Sequence, residues 1–536
     1  MRVDTLIIGS GVAAAVLSQR LLEANPLASI LILEAGTRVK TRDFGVWENY
    51  LITGRLPYEA NRDLDYPQRD APGENRSVGG TEIPLNGARI INYGGSTMHW
   101  GGWSLRLKPE DFTLKARTGQ GGDWPFDYGE LEPFYCEAEQ YLAVAGDSAD
   151  STVRRTREYP FRAFPFSLQD QPLAQTLSAR GIAYGHLPIA RRGVSSVPSR
   201  HAPCHTTGTC KYCPFGARYV ASNYLDDLRT WNDYPNFDIR LGTIVETIRM
   251  AGKHTAAAVT FRDKTTGETD IIEASRIIVA AGTIESAKLL LRSVSDDWKK
   301  GVGNDTNMVG RHFITHPYFI FTGTRDNNPL KLQPELNFPT LISRHFDSEA
   351  EQAAGKFVLV NPPDTVPFSL ASQMQAGYSR SEIDEHLAGP NRVQLHGMIE
   401  VFGRPENRIT NFMKRNHLGM LETSVDYTKD SRFDTRMVEI FTEVHDIFEA
   451  MGAHLTDKPS VSWRADHAAS TCRMSDDELE GVVDRNLKVH GTDNLYVCSN
   501  ATFPSIGAVN PTLTLTALAF RLADHLIATS PGAQHG

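Results

Sequence analysis

An apolar run, Val3 to Ile8, leads straight into Gly9-Ser10-Gly11-Val12-Ala13-Ala14. A stretch of helical character then runs to about Leu22, and a second apolar run, Ser29 to Leu33, ends on Glu34. Strand, GxGxxA turn, helix and second strand make a βαβ unit, which fixes two parallel neighbours in a sheet covered by helices. Gly9 permits the tight turn, Gly11 lets the backbone approach a pyrophosphate, and Ala14 allows close packing of helix on strand. The helix N-terminus adds free N–H groups and the positive end of a dipole. Glu34 follows the second glycine by roughly twenty residues, where a carboxylate can accept hydrogen bonds from a ribose. The unit reads as dinucleotide-binding, FAD and NAD fitting equally; a Gly-rich turn of an ordinary α/β domain is the alternative.

The rest of the chain narrows the field. At 536 residues it has length for two or more structural units around a sizeable core. Its 55 Lys and Arg against 64 Asp and Glu leave a net charge of −9, so no basic field exists for a phosphate backbone, and nucleic acid is not expected as a partner. No apolar run approaches the roughly 18 residues that span a bilayer, and MRVDTLIIGSGVAA lacks the basic stretch and cleavage site of a signal peptide. The expectation is a chain without direct membrane insertion and without an export signal of its own. Six cysteines are too few for a disulfide scaffold in this length, yet Cys204, Cys210 and Cys213 fall close together, which points to metal or redox chemistry.

Further motifs choose between the cofactors. Gly94-Gly95-Ser96-Thr97-Met98-His99-Trp100-Gly101-Gly102 sets two Gly pairs around small hydroxyl residues, a composition suited to laying backbone N–H groups against a planar ligand, although a structural loop would read the same. Gly282-Thr283-Ile284-Glu285-Ser286-Ala287 follows the apolar strand Ile277 to Ala281, and Asn510-Pro511-Thr512 follows Leu495 to Cys498 and Ser499-Asn500. Asp466-His467-Ala468-Ala469-Ser470-Thr471-Cys472-Arg473-Met474 lies between them. From residue 3 to about residue 525 the chain resembles the glucose-methanol-choline (GMC) oxidoreductases, flavoproteins that oxidise alcohols.

The resemblance implies an α/β chain, α+β overall: an FAD-binding Rossmann-like domain with a substrate domain built on an antiparallel sheet. The first would comprise residues 1–40, 75–120, 200–310 and 460–536, the second 41–74, 121–199 and 311–459 with cap segments. FAD would lie with its pyrophosphate on Gly9, Gly11 and Ala14 and its ribose on Glu34. Gly95, Ser96, His99 and Trp100 would run along the flavin, the backbone of Val245 would meet adenine, and Ala281, Gly282, Ser499, Asn500, Pro511 and Thr512 would complete the site. Some pyranose oxidases of the family attach FAD covalently to a histidine at the place of His99; others with the same His-Trp pair do not. Three departures stand out: Ala287, Ser499 and Ser470 replace the family's usual proline, aspartate and glycine.

The same likeness implies His467 as general base and Asn510 as the group that holds the carbinol oxygen. Imidazole suits the first role because its unperturbed pKa lies nearest neutrality; taken alone, one histidine among 17 is more often structural. Cys204, Cys210 and Cys213 form C-x5-C-x2-C-P, and thiolates with a Cys-Pro ending are recurrent ligands of iron–sulfur clusters. In bacterial GMC sugar dehydrogenases such a loop holds a 3Fe-4S cluster that relays electrons towards a cytochrome. Zinc, with His201 or His205 as fourth ligand, and unliganded thiols are the alternatives. Cys136, Cys472 and Cys498 read as buried small residues. Residues 391 to 401 alternate with period two and place Gln394, His396 and Glu400 on one strand face, open to substrate or to solvent.

These readings imply FAD-dependent oxidation of a sugar or glycoside hydroxyl, with likeness to glucoside 3-dehydrogenases acting at C3 of a pyranoside. Electrons would pass through the cluster to an external acceptor. An oxygen-using pyranose or C-glycoside oxidase, or a gluconate or glucose dehydrogenase, is the alternative. A small subunit carrying the export signal and a cytochrome c are the implied partners, which would place the chain in the periplasm; the cytoplasm is the alternative.

Overall fold

In the computed structural model, the structure describes residues 2–53, 75–85, 87–191, 202–205, 207, 209–210, 212–230, 234–325, 338–347, 355–362, 370–388, 391–416 and 419–530. The chain begins as its first motif predicts. Strand β1 (Arg2–Ile8), helix α1 (Val12–Ala24) and strand β2 (Ile30–Leu33) form a parallel βαβ unit, with Leu6 opposite Leu31 and Ile8 opposite Leu33. Helix α2 (Tyr128–Tyr141) follows, capped at its N-terminus by Asp127, whose side chain accepts from the Glu130 N–H. Strands β3 (Phe237–Arg240), β4 (Thr243–Ala251), β5 (Thr255–Asp263) and β6 (Thr269–Val279) then complete most of the first sheet, and helix α3 (Gly282–Arg292) leaves β6 directly.

A second sheet is antiparallel: β7 (Pro317–Arg325), β8 (Phe357–Val360), β9 (Asn391–Ile399), β10 (His454–Leu455) and β11 (Ser460–Trp463) lie in the order β8-β9-β7, with β10 and β11 sharing the far edge of β7. The chain then returns to the first sheet with β12 (Leu495–Val497) and helix α4 (Thr512–Ala528). The first sheet runs β3-β2-β1-β6-β5-β4. The long β6 pairs antiparallel with β5 through its first half and parallel with β12 through its second.

Burial explains the sequence of these strands. Leu6, Ile7, Ile32, Ile277, Ile278 and Val279 are fully buried because the parallel strands are covered on both faces, which favours continuous apolar runs over alternation. Each such side chain stabilises the fold by about 1.5–3 kcal/mol relative to exposure. Helix α1 is apolar nearly all round since it lies between this sheet and α4. Among the described residues no helix is long and apolar enough to cross a membrane. The expected fold class, a Rossmann-like α/β unit beside an antiparallel sheet, is the one observed.

Candidate active site

Turns at the C-terminal ends of β1, β2, β6 and β12 border a cavity of about 640 Å³, the position that open parallel sheets favour for ligands. Gly9 leaves β1 at φ +99°, and a Cβ there would sit 2.6 Å from the Ala280 carbonyl oxygen, so glycine is required twice over. A Cβ on Gly11 would meet nothing within 4 Å, because that side of the turn opens into the cavity. Gly95 lies against the turn, its would-be Cβ 3.2 Å from the Gly11 Cα. Ala14 is fully buried on α1 and serves packing rather than the cavity wall.

The carboxylate of Glu34 accepts from the Ser10 N–H at 3.0 Å and Ser10 Oγ at 2.6 Å on one oxygen, and from the Gly36 N–H at 2.7 Å on the other. Ser10 Oγ in turn accepts from the Gly94 N–H at 3.0 Å. One chain of bonds therefore joins the GxGxxA turn, the end of β2 and the Gly94–Gly102 loop. Burial raises the pKa of Glu34 while the Ser10 and Gly36 bonds oppose it. A carboxylate has about four acceptor sites, so room for a further donor remains.

The Gly94–Gly102 loop tightens into a 3₁₀ turn, Gly95–Met98. Arg218 donates to the carbonyls of Trp100 at 2.8 Å and Met98 at 2.5 Å, and the Trp100 indole N–H donates to Tyr219 at 2.9 Å. With its N–H used by the protein, Trp100 offers the cavity only apolar ring surface, beside Ser96 and His99. Val245 lines the wall from β4, its carbonyl accepting from Arg292 Nη2 at 2.9 Å. Ala281 and Gly282 open α3, while Ser499, Asn500, Pro511 and Thr512 close the opposite side. Ser499, standing where an acid was expected, accepts from the Ala501 N–H at 3.3 Å and faces Ser286 Oγ at 3.3 Å.

The other end of the cavity holds His467 and Asn510, 43 residues apart in sequence and 3.2 Å apart between Asn510 Nδ2 and His467 Nε2. Two neighbours were not signalled by the sequence. His316 Nδ1 lies 2.9 Å from His467 Nδ1, and Tyr318 Oη lies 3.0 Å from the same nitrogen. His316 Nε2 is 2.8 Å from the Gly507 carbonyl, which can only accept, so Nε2 carries the proton. Burial lowers the pKa of His316 to about 4 and keeps it neutral, which makes its Nδ1 an acceptor. His467 then donates from Nδ1, and its bare Nε2 faces the amide of Asn510. This tautomer is assigned from the bonding network. Burial, then His316 where that ring takes up a proton and the charge of Arg464, holds the pKa of His467 well below its ordinary value.

Local bonding sets the His467 segment. Thr283 Oγ1 donates to the Ala468 carbonyl at 2.5 Å, and Thr471 Oγ1 returns a bond to Thr283 at 2.7 Å. Ser470 adopts φ +74°, the left-handed region that glycine enters freely, and donates from Oγ to the Phe503 carbonyl at 2.6 Å. The family's glycine at this place thus has a conformational cause, and here a side-chain bond offsets the strain.

Family models for the N-terminal and C-terminal parts of GMC oxidoreductases match residues 189–318 and 404–519. The chain belongs to the GMC oxidoreductase family. It is 26% identical to the fructose dehydrogenase large subunit of Gluconobacter japonicus, covering 98% of this chain and 97% of that one. It is 27% identical to the 6'''-hydroxyparomomycin C oxidase of Streptomyces lividus, covering 98% and 92%. Among solved structures, a formate oxidase of Aspergillus oryzae, in a study of its FAD modification, superposes with a TM-score of 0.67 at 15% identity over 98% of each chain. This GMC oxidoreductase is an FAD-dependent enzyme acting on CH–OH groups.

The residues present fit FAD. The Gly11 side of the turn is open, the backbone of Gly95 lies against it, and the oxygens Asn500 Oδ1 and Asn510 Oδ1, in residues lining the cavity, are buried without partners among the described residues. The cysteine loop does not fit its expected role. Among the described residues no group of three His, Cys, Asp or Glu could hold a metal ion, Cys204, Cys210 and Cys213 included. Cys210 is buried in an apolar cluster with Ile189 and Phe338, whereas Cys213 Sγ accepts from the Ala217 N–H at 3.3 Å. His201 lies outside the described residues. Burial raises the thiols of Cys472 and Cys498 to about 12, as inert buried residues require. Cys136 differs from that reading: it donates to Glu132 at 3.2 Å inside a buried cluster around Arg106.

On β9, His396 and Met398 line the cavity. Glu400, expected on the same face, lies past the strand end at Ile399, where period-two alternation stops. It is buried beside Lys356 and Asp111 with its pKa raised to about 7, chiefly by burial.

Proposed function

We propose that this GMC oxidoreductase oxidises a ring hydroxyl of a sugar or glycoside to the carbonyl, with C3 of a pyranoside as the first position to test. The observation that carries the reading is the Asn510–His467–His316 array, closed by Tyr318, at one end of a cavity whose other end is a dinucleotide cradle. The carbinol loses its O–H proton to Nε2 of His467 and its C–H as hydride, two electrons with it, leaving C=O. FAD, when bound, supplies the acceptor for that hydride. Asn510 Nδ2 has two protons; one faces His467, and the other is available to the carbinol oxygen as charge develops there. His316 receives the Nδ1–H of His467 and so keeps Nε2 bare for the incoming proton. Likeness to a fructose dehydrogenase and an aminoglycoside oxidase supports the substrate class.

The electron acceptor separates two readings. Likeness to a protein named a large subunit, together with the C-x5-C-x2-C-P spacing, supports an external acceptor reached through a partner subunit and a three-iron cluster. A partner with an export signal would take the chain to the periplasm. Because the three thiols are not gathered in this structure, no electron step is routed through them. Anaerobic flavin reduction by a panel of pyranosides, followed by reoxidation with oxygen or with cytochrome c, tests the whole reading. Flavin that no sugar reduces overturns the substrate class. Zinc, or no metal at all, in the purified protein overturns the cluster, and the reoxidation arm alone then decides between oxygen and an external acceptor.

A further inference from the structure

Within that reading, we infer that His396 is the residue that receives a second hydroxyl of the substrate and so selects polyhydroxylated over monohydric alcohols. His396 lines the same cavity as His467, from β9. Its Nε2 is buried and has no hydrogen-bond partner among the described residues. The contrast with the neighbouring imidazoles is sharp: His316 and His467 have partners on both ring nitrogens. A buried nitrogen without a partner is costly unless a ligand completes it, and a site built to bond a hydroxyl discriminates strongly against an analogue that lacks one. Register fixes the spacing. Tyr318 stands opposite Met398 across the sheet, and His396 is the diagonal neighbour on that face, roughly 7–8 Å from Tyr318 between backbones. Tyr318 Oη touches His467, so His396 stands one diagonal step along the sheet face from the residue that contacts the base. A ring with two hydroxyls spans such an offset; a simple alcohol does not. Burial lowers the pKa of His396 to about 4, so the ring is neutral and can either donate to or accept from a hydroxyl.

The test compares the FAD-loaded enzyme with His396→Leu and His396→Gln, using D-glucose, methyl α-D-glucopyranoside and cyclohexanol as probes in anaerobic flavin reduction. His396→Leu is expected to lower kcat/KM for the better pyranose probe by roughly tenfold or more, mainly through KM, and to leave cyclohexanol within about threefold. His396→Gln, which keeps a polar group, should recover most of the loss, and unchanged flavin absorbance in both variants confirms the intact site. Equal losses for sugar and cyclohexanol, or no loss for either, overturn the inference while leaving the proposed function intact. If the wild-type enzyme is reduced by cyclohexanol but by neither sugar, His396 does not select polyols. If none of the three probes reduces it, the proposed function itself fails, and the inference with it.

Discussion

Replacing His316 by Leu removes the acceptor 2.9 Å from His467 Nδ1 and the donor 2.8 Å from the Gly507 carbonyl. A buried polar group left unpaired costs about 1–3 kcal/mol, which corresponds to roughly 5- to 150-fold in rate if it falls on the reacting state. Tyr318 Oη, at 3.0 Å from the same Nδ1, can take over part of the acceptor role, so the lower half of that range is expected: flavin reduction slowed about tenfold. His316→Asn restores an acceptor oxygen and should lie closer to wild type. A second readout separates positioning from a general loss of packing. His316 is charged only below about pH 4, and there it is among the causes that lower the pKa of His467, so its removal should move the acid limb of the reduction rate upwards in pH. Stopped-flow absorbance of the bound flavin under anaerobic conditions measures both. A Leu variant that retains FAD and reduces it at the wild-type rate with an unshifted acid limb would refute the reasoning, as would Asn and Leu variants that are equally slow.

His467→Ala should leave FAD bound and slow its reduction by roughly 10²-fold or more, checked by the same stopped-flow measurement. In the wild type, His467 must be unprotonated to act, and burial holds its pKa well below 6.5, so the reduction rate should stay flat from pH 8 down through 6.5 and fall only in stronger acid. Ser470 holds φ +74° and bonds Phe503 at 2.6 Å; Ser470→Ala keeps the strain and loses the bond, so it should lower stability by about 1–2 kcal/mol, whereas Ser470→Gly stays within about 1, as read by thermal unfolding. His312, His316 and His396 are each lowered from 6.5 to about 4, first by burial. The unfolded chain therefore takes up protons first, and stability should be lost progressively from pH 6.5 to about 4, by up to about 3 kcal/mol per imidazole, which urea unfolding across that window would show.

The parts of the fold that were legible in the sequence are those where local chemistry and tertiary role coincide. Gly9 is written into the turn by its φ and by the Ala280 carbonyl, and the run from Ile30 to Leu33 is apolar because both sheet faces are covered. His467 and Asn510 were legible because each sits in a motif. His316 and Tyr318 were not, since they flank the start of β7, and only its antiparallel pairing with β11 brings them to the His467 segment. Ser10 escaped for a different reason: it fills the variable position of GxGxxA, and its tie between Glu34 and Gly94 exists only after the chain has folded back. The cysteine spacing said nothing of direction. Cys210 points into an apolar cluster, where burial of an uncharged thiol competes with its use as a ligand.

The cavity draws its walls from β1 and β2 near one end of the sequence and from the turn after β12 and the start of α4 near the other, with α4 packed directly on α1. During synthesis the first βαβ unit emerges roughly half a minute to two minutes before the segment that seals it. Through that interval an apolar helix face awaits its cover, and the nucleotide cradle stands open on one side. The cradle is complete only once α4 has docked, so cofactor capture is expected to be a late event. Truncation within Thr512–Ala528 should yield a chain that misses its flavin and its core together, rather than an inactive but folded enzyme.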